Sequence, residues 1–339
     1  MKRLAVPLVV VAAVALAACG GDTAAGSAAR SAGTAPTTVR LGYFPNVTHA
    51  TAIVGVEKGI FARALGDDRL KTQTFNAGPA AVEALLSGAI DATYIGPNPA
   101  INAFAKSNGA AIRIISGATS GGAALVVKPA ITSAAQLKGR KLASPQLGNT
   151  QDVALRSWLA EQGLETDAQG GGDVTIVPQE NAQTLETFRS GAIDGAWVPE
   201  PWVSRLVLEG GGKVLVDERS LWPGGNFVTT HLIVATTFLR EHPDTVRRLL
   251  KGQVEANAFV NEHPDDAQQL VNAGIEKSTG KKLAEATIRA AWRNLTFTND
   301  PVEASLRTSA AHAEAVGLLG NVDLDGIYDL RLLHEVEGK

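Results

Sequence analysis

Asn46, Thr48, His49, Asn98, Asn149 and Thr150 fall where short apolar strands give way to helices. Side chains of this kind donate hydrogen bonds and, apart from a protonated histidine, carry no charge. At a helix start they stand beside unpaired backbone N–H groups and the positive end of the helix dipole, which together hold an anion without any arginine. Gly148 shares the turn of Asn149, and Ser120 lies on a glycine-rich stretch from which it can join the set. Each residue also has an ordinary reading as a helix cap or turn former. His49 can donate from a neutral ring or add charge when protonated; a helix start lowers its proton affinity and favours the neutral donor. Glu200 has the opposite character. Its carboxylate either pairs with an ammonium group on a zwitterionic ligand or only satisfies backbone donors near Pro201. Trp202, with Tyr43 or Phe44, can wall the apolar part of an organic ligand or pack in the core.

No other constellation points to chemistry. Histidines are scattered with no pair at metal-ligand spacing, and His242 and His263 each lie in a Glu-His-Pro-Asp stretch that reads as one helix ending and the next beginning. Gly274 to Lys282 fails as a phosphate loop in its spacing and in having Lys282 where Ser or Thr would hold magnesium. Neither a metal, a cofactor nor a catalytic activity is expected. A net charge of −3 offers nothing basic enough for nucleic acid, and 45% apolar residues describe a globular chain long enough for two cored domains.

These residues are positioned by a stretch that the chain writes twice. Glu83 to Asp91 contains Ser87-Gly88-Ala89-Ile90-Asp91 and leads into Gly96-Pro97-Asn98-Pro99; Glu186 to Asp194 contains Ser190-Gly191-Ala192-Ile193-Asp194 and leads into Pro199-Glu200-Pro201-Trp202. Each copy reads as a helix capped by glycine, then a short apolar strand that stops at a proline-rich loop. The same offset of 103 residues sets Asn46 to His49 opposite Asn149 to Asp152. Two similar α/β lobes are therefore expected, with their strand-end loops facing one another across a cleft.

The chain begins with Lys2 and Arg3, an apolar run from Leu4 to Leu16, and Leu16-Ala17-Ala18-Cys19-Gly20. That run is too short for the ~20 residues of a spanning helix and reads as an export signal. Residues 20–38, nearly all Gly, Ala, Ser and Thr, read as a flexible tether. Cys19 is the only cysteine, so no disulfide can stabilise the fold. Ser116 to Gly122 reads as a glycine-rich crossing between lobes or as a plain loop, and Trp222 to Asn226 as the return. From Pro243 onward the period is helical. The resulting division is a signal over 1–18, Cys19 and tether over 19–38, a first lobe over 39–120 and 226–339, and a second lobe over 121–225.

Leu41 to Ala50, the paired Ser-Gly-Ala-Ile-Asp stretches, Gly148-Asn149-Thr150 and Pro199-Glu200-Pro201-Trp202 resemble the solute-binding lipoproteins of ABC importers for aliphatic sulfonates, nitrate and taurine. The segment around Cys19 is similar to a lipobox, in which the signal is cleaved before a cysteine that then carries lipid. The resemblance implies a type II-like periplasmic-binding-protein fold, α/β, with two lobes joined by two crossings and extra C-terminal helices. It implies a lipid-anchored, extracytoplasmic monomer that closes on a small anionic or zwitterionic solute and delivers it to a permease with its ATPase. A distant group of this fold binds the pyrimidine precursor of thiamine. An enzyme branch relies on a cysteine-rich iron motif that this sequence lacks.

Overall fold

A computed structural model describes residues 35–339; the expected signal, Cys19 and most of the expected tether lie outside the described residues. The strands are β1 (Thr38–Tyr43), β2 (Arg69–Thr74), β3 (Ala92–Ile95), β4 (Ile112–Gly121), β5 (Ala123–Val127), β6 (Lys141–Ser144), β7 (Thr175–Pro178), β8 (Gly195–Pro199), β9 (Lys213–Asp217), β10 (Val228–Ala235) and β11 (Leu295–Phe297). The helices are α1 (Ala50–Glu57), α2 (Ile60–Leu65), α3 (Gly78–Leu86), α4 (Pro97–Lys106), α5 (Thr150–Glu161), α6 (Asn181–Arg189) and α7 (Trp202–Leu208), followed by α8 (Thr236–Glu241), α9 (Pro243–Glu262), α10 (Pro264–Thr279), α11 (Glu285–Trp292), α12 (Glu303–Ala315) and α13 (Arg331–Glu337).

The strands form two sheets in the orders β11-β4-β10-β3-β1-β2 and β7-β6-β8-β5-β9. Both contain a parallel trio, β2-β1-β3 in one and β7-β6-β8 in the other, flanked by an antiparallel strand, β10 or β5. Apolar clusters cover both faces of each sheet, which is why β3, β5 and β8 are uninterrupted buried runs rather than alternating ones. This is the periplasmic-binding-protein architecture of two α/β lobes.

The repeated Asp explains the internal repeat physically. Asp91 accepts from the backbone N–H of Arg40 at 2.8 Å, and Asp194 accepts from that of Lys141 at 2.9 Å. Their own N–H groups bond to the carbonyls of the same two residues, each at 2.8 Å. Each Asp therefore locks the middle strand of its lobe's parallel trio to the helix-to-strand turn behind it.

Two expectations change. Ser116 to Ser120 are not a loop but the second half of β4, and the first crossing is confined to Gly121 and Gly122, with φ of 80° and 75°. Only glycine takes two successive left-handed residues at little cost, so β4 of one sheet can hand over to β5 of the other without an intervening loop. The return runs from Glu218 to Phe227 between β9 and β10. The C-terminal part is also not wholly helical. β11, at Leu295–Phe297, pairs antiparallel with β4 at the crossing end. Helices α9 and α10 pack over α1 and α2 as expected of an extension of the first lobe, but α11 also meets α7, and α12 meets both α4 and α5. His242 and His263 are the junction residues between consecutive helices. No helix of the described residues is long and apolar enough to cross a membrane.

Candidate functional site

The carboxyl ends of β1, β3, β6 and β8 converge on a cavity of about 20 Å³. Phe44, Asn46, Thr48, His49, Asn76, Gly96 and Thr229 line it from the first lobe, and Asn149, Thr150, Gln151, Asn181 and Pro199 from the second. Asn46 and Asn149, and likewise Gly96 and Pro199, are equivalent positions of the repeat, so the two lobes face one another with like loops. The starts of α4, α5 and α6 and the turn before α1 meet there. The cavity's volume is that of about one water-sized group.

The donors are available. Asn46 and Asn149 occupy helix-cap positions, yet neither side chain makes a cap hydrogen bond. Thr150 Oγ1 and Asn181 Oδ1 are buried and have no partner. Buried polar atoms are nearly always paired, and an amide can turn its NH2 to where its oxygen points, so both atoms are free to bond whatever enters the cavity. Asp152 holds this part in place. Fully buried, it accepts from Ser144 Oγ at 2.6 Å, Gly148 N at 2.9 Å and Arg156 Nε at 3.1 Å, which sets the turn that presents Asn149 and Thr150.

His49 stacks on Phe44 with ring centroids 4.4 Å apart, and its Nδ1 accepts from the Phe44 N–H at 3.3 Å. That bond places the ring proton on Nε2, making it a neutral donor. Burial pushes its pKa down to about 3, so it carries no charge at neutral pH. Affinity for a strong-acid anion should accordingly stay flat from pH 8 to pH 5; a rise of tenfold on acidification, measured by calorimetry, would mean that His49 binds as the cation.

Not every expected residue reaches the cavity. Asn98 points the other way, donating to the Ser309 carbonyl at 3.1 Å and tying α4 to α12. Ser120 is buried within β4 and lines no part of the cavity, and Gly148 serves the turn through its N–H. Glu200 is fully buried at the crossing end. It accepts from Ser204 N at 3.0 Å, Ser204 Oγ at 2.9 Å and Asn294 Nδ2 at 2.7 Å. Burial raises its pKa against these donors. Its partners thus include one backbone donor near Pro201, the Ser204 N–H, and two side chains, those of Ser204 and Asn294. Trp202 lines an outer chamber of about 850 Å³ that shares Asn46, Asn76 and Asn181 with the inner cavity. Asn76, Gln151, Asn181 and Thr229 are cavity residues that sequence reasoning misses. Asn181 had a signal, since its equivalent at the repeat offset, Gly78, also opens a helix.

Buried histidines also set the acid limit of the fold. His231, whose Nε2 lies 2.8 Å from the Pro301 carbonyl, is pushed by burial down to about 4, while burial raises Glu218, bonded to Trp197 Nε1 at 2.7 Å, to about 7. Below pH 6.5 the unfolded chain protonates both His49 and His231 and the folded one does not, so each costs about 1.4 kcal/mol of stability per pH unit. Glu218 acts with the opposite sign between pH 7 and 4.5, because the folded state binds its proton first, and offsets about one histidine. Melting temperature should therefore fall less steeply from pH 6.5 to 4.5 in His231→Gln than in the wild type. An equal fall in both would remove His231 from this balance.

The NMT1-like family model matches residues 32–275. A binding protein of Brucella abortus (strain 2308) is 29% identical over 217 residues, so that the match spans 62% of this chain and 63% of the relative's length. The taurine-binding periplasmic protein of Escherichia coli (strain K12) is 28% identical over 182 residues, 54% of each chain. Among solved structures, the alkanesulfonate-binding protein SsuA from Xanthomonas axonopodis pv. citri, bound to MOPS, superposes with a TM-score of 0.70 at 21% identity over 85% of this chain and 96% of that one. The nitrate-binding protein NrtA from Synechocystis PCC 6803 gives 0.73 at 18% identity over 89% of each chain. Those structures share the fold, and the family match covers both parallel trios and every cavity residue; the chain belongs to the NMT1-like family.

Proposed function

We propose that this protein is an extracytoplasmic solute-binding component of an ABC importer, which captures a small organosulfonate or a related oxyanion by closing its two lobes. The observation that carries the reading is the pair of unpartnered buried atoms, Thr150 Oγ1 and Asn181 Oδ1, in a cavity at converging helix starts whose polar side chains are all neutral. Hydrogen bonds to an ionised acceptor are about twice as strong as neutral ones, so such a cradle favours an anion over a neutral heterocycle. The relatives named for taurine and aliphatic sulfonates support the same class. Nothing in this reading is catalytic. Lobe closure turns on the crossings at 121–122 and 218–227, with 39–120 and 226–339 moving against 121–225.

Isothermal titration of residues 36–339 with methanesulfonate, taurine, nitrate, bicarbonate, sulfate and a hydroxymethylpyrimidine tests this. Tight binding of a monoanion, with the pyrimidine silent, is expected; binding of the pyrimidine alone would overturn it. Delivery to a permease with its ATPase, a monomeric state and attachment through lipid on Cys19 belong to the same proposal. Cys19→Ala should release the protein from membranes in cell fractionation, and unchanged attachment would count against the lipid anchor.

A further inference from the structure

We infer that Trp202 is a length gate between the oxyanion cradle and the outer chamber, selecting compact ligands over those with long tails. The inference rests on the oxyanion reading and refines its substrate class. The inner cavity measures about 20 Å³ and the outer chamber about 850 Å³. Two hydrogen bonds cross the cleft at their boundary. Trp202 Nε1 donates to Asn46 Oδ1 at 3.1 Å, and Asn76 Nδ2 donates to Glu180 Oε1 at 3.0 Å. Asn46 and Asn76 line both spaces, so these bonds stand where a substituent leaving the cradle must pass.

The indole is held for this task. Arg205 lies over its ring at 4.7 Å and is itself fixed by Glu209 through two bonds of 3.0 Å. With one face covered and its N–H committed to Asn46, Trp202 cannot swing aside without giving up both interactions. An oxyanion with a very short substituent leaves the boundary intact. A longer chain must break at least the Trp202–Asn46 bond to reach the apolar walls of the outer chamber, Phe75 and Leu283 among them.

The test compares methanesulfonate with hexanesulfonate by titration calorimetry on residues 36–339. The wild type should bind methanesulfonate more tightly. Trp202→Phe keeps a ring for Arg205 but removes the donor, and should shift the affinity ratio toward hexanesulfonate by about 2- to 10-fold, the usual worth of one hydrogen bond. The exposed Glu180→Ala, which removes the other cross-cleft bond, should shift it the same way and serves if Trp202→Phe does not fold. A wild type that prefers hexanesulfonate, or a ratio unmoved in the folded variants, overturns the gate while leaving the cradle intact. Failure of every oxyanion to bind overturns the cradle, and the gate with it.

Discussion

Thr150→Val should lower oxyanion affinity by about 10- to 100-fold while leaving the unliganded protein as stable as before. A hydrogen bond to a charged group contributes about 1.5–3 kcal/mol, and each 1.4 kcal/mol is a factor of ten. No group of the protein partners that hydroxyl, so a methyl of the same shape forfeits no bond within the protein. Lost affinity with unchanged stability is the pattern of a hydroxyl that bonds a ligand and no group of the protein. Calorimetry and thermal melts on the same preparation check it. A lowered melting temperature with unchanged affinity would make Thr150 a structural residue.

Gly96→Ala should be nearly as damaging by a different route. Gly96 has φ of −72°, so alanine fits its backbone without strain. The added Cβ would, however, meet Thr150 Oγ1 of the opposite lobe at 2.4 Å. Overpacking of this kind costs about 1–3 kcal/mol, here charged to the closed form alone, which corresponds to about 5- to 100-fold in affinity. Solution scattering should show a more open molecule at saturating ligand, with the melting temperature of the free protein little changed. Wild-type affinity in a folded Gly96→Ala variant would contradict lobe closure at this contact.

Much of this architecture is legible in the sequence because the repeat records a repeated job. Asp91 and Asp194 each lock the middle strand of a parallel trio, so the Ser-Gly-Ala-Ile-Asp stretch survives in both copies. Asn46, Thr48, His49, Asn149 and Thr150 are legible for a similar reason, since they flank the turns that open onto the cavity. Asn98 lies one residue inside its helix, and at 3.6 residues per turn a single step swings a side chain by about 100°, in this case away from the cavity and onto Ser309. The environment of Glu200 depends on Asn294, 94 positions away, which no local pattern reveals. β11 spans three residues, too few to display a period, and it supplies backbone partners to the outer edge of β4 at Thr119 to Gly121. Asn76 contributes from the loop after an edge strand, where neither repeat nor periodicity singles it out.

The central claim, that an oxyanion is held between Thr150 and Asn181, can be tested without ambiguity because the chain's only methionine and only cysteine, Met1 and Cys19, both precede residue 36. A crystal of residues 36–339 grown with methanesulfonate therefore has no native sulfur of its own. Anomalous diffraction should give one strong sulfur peak within hydrogen-bonding reach of Thr150 Oγ1 and the Asn181 amide. A sulfur peak confined to the outer chamber, or against Glu200 at the crossing, would contradict the account.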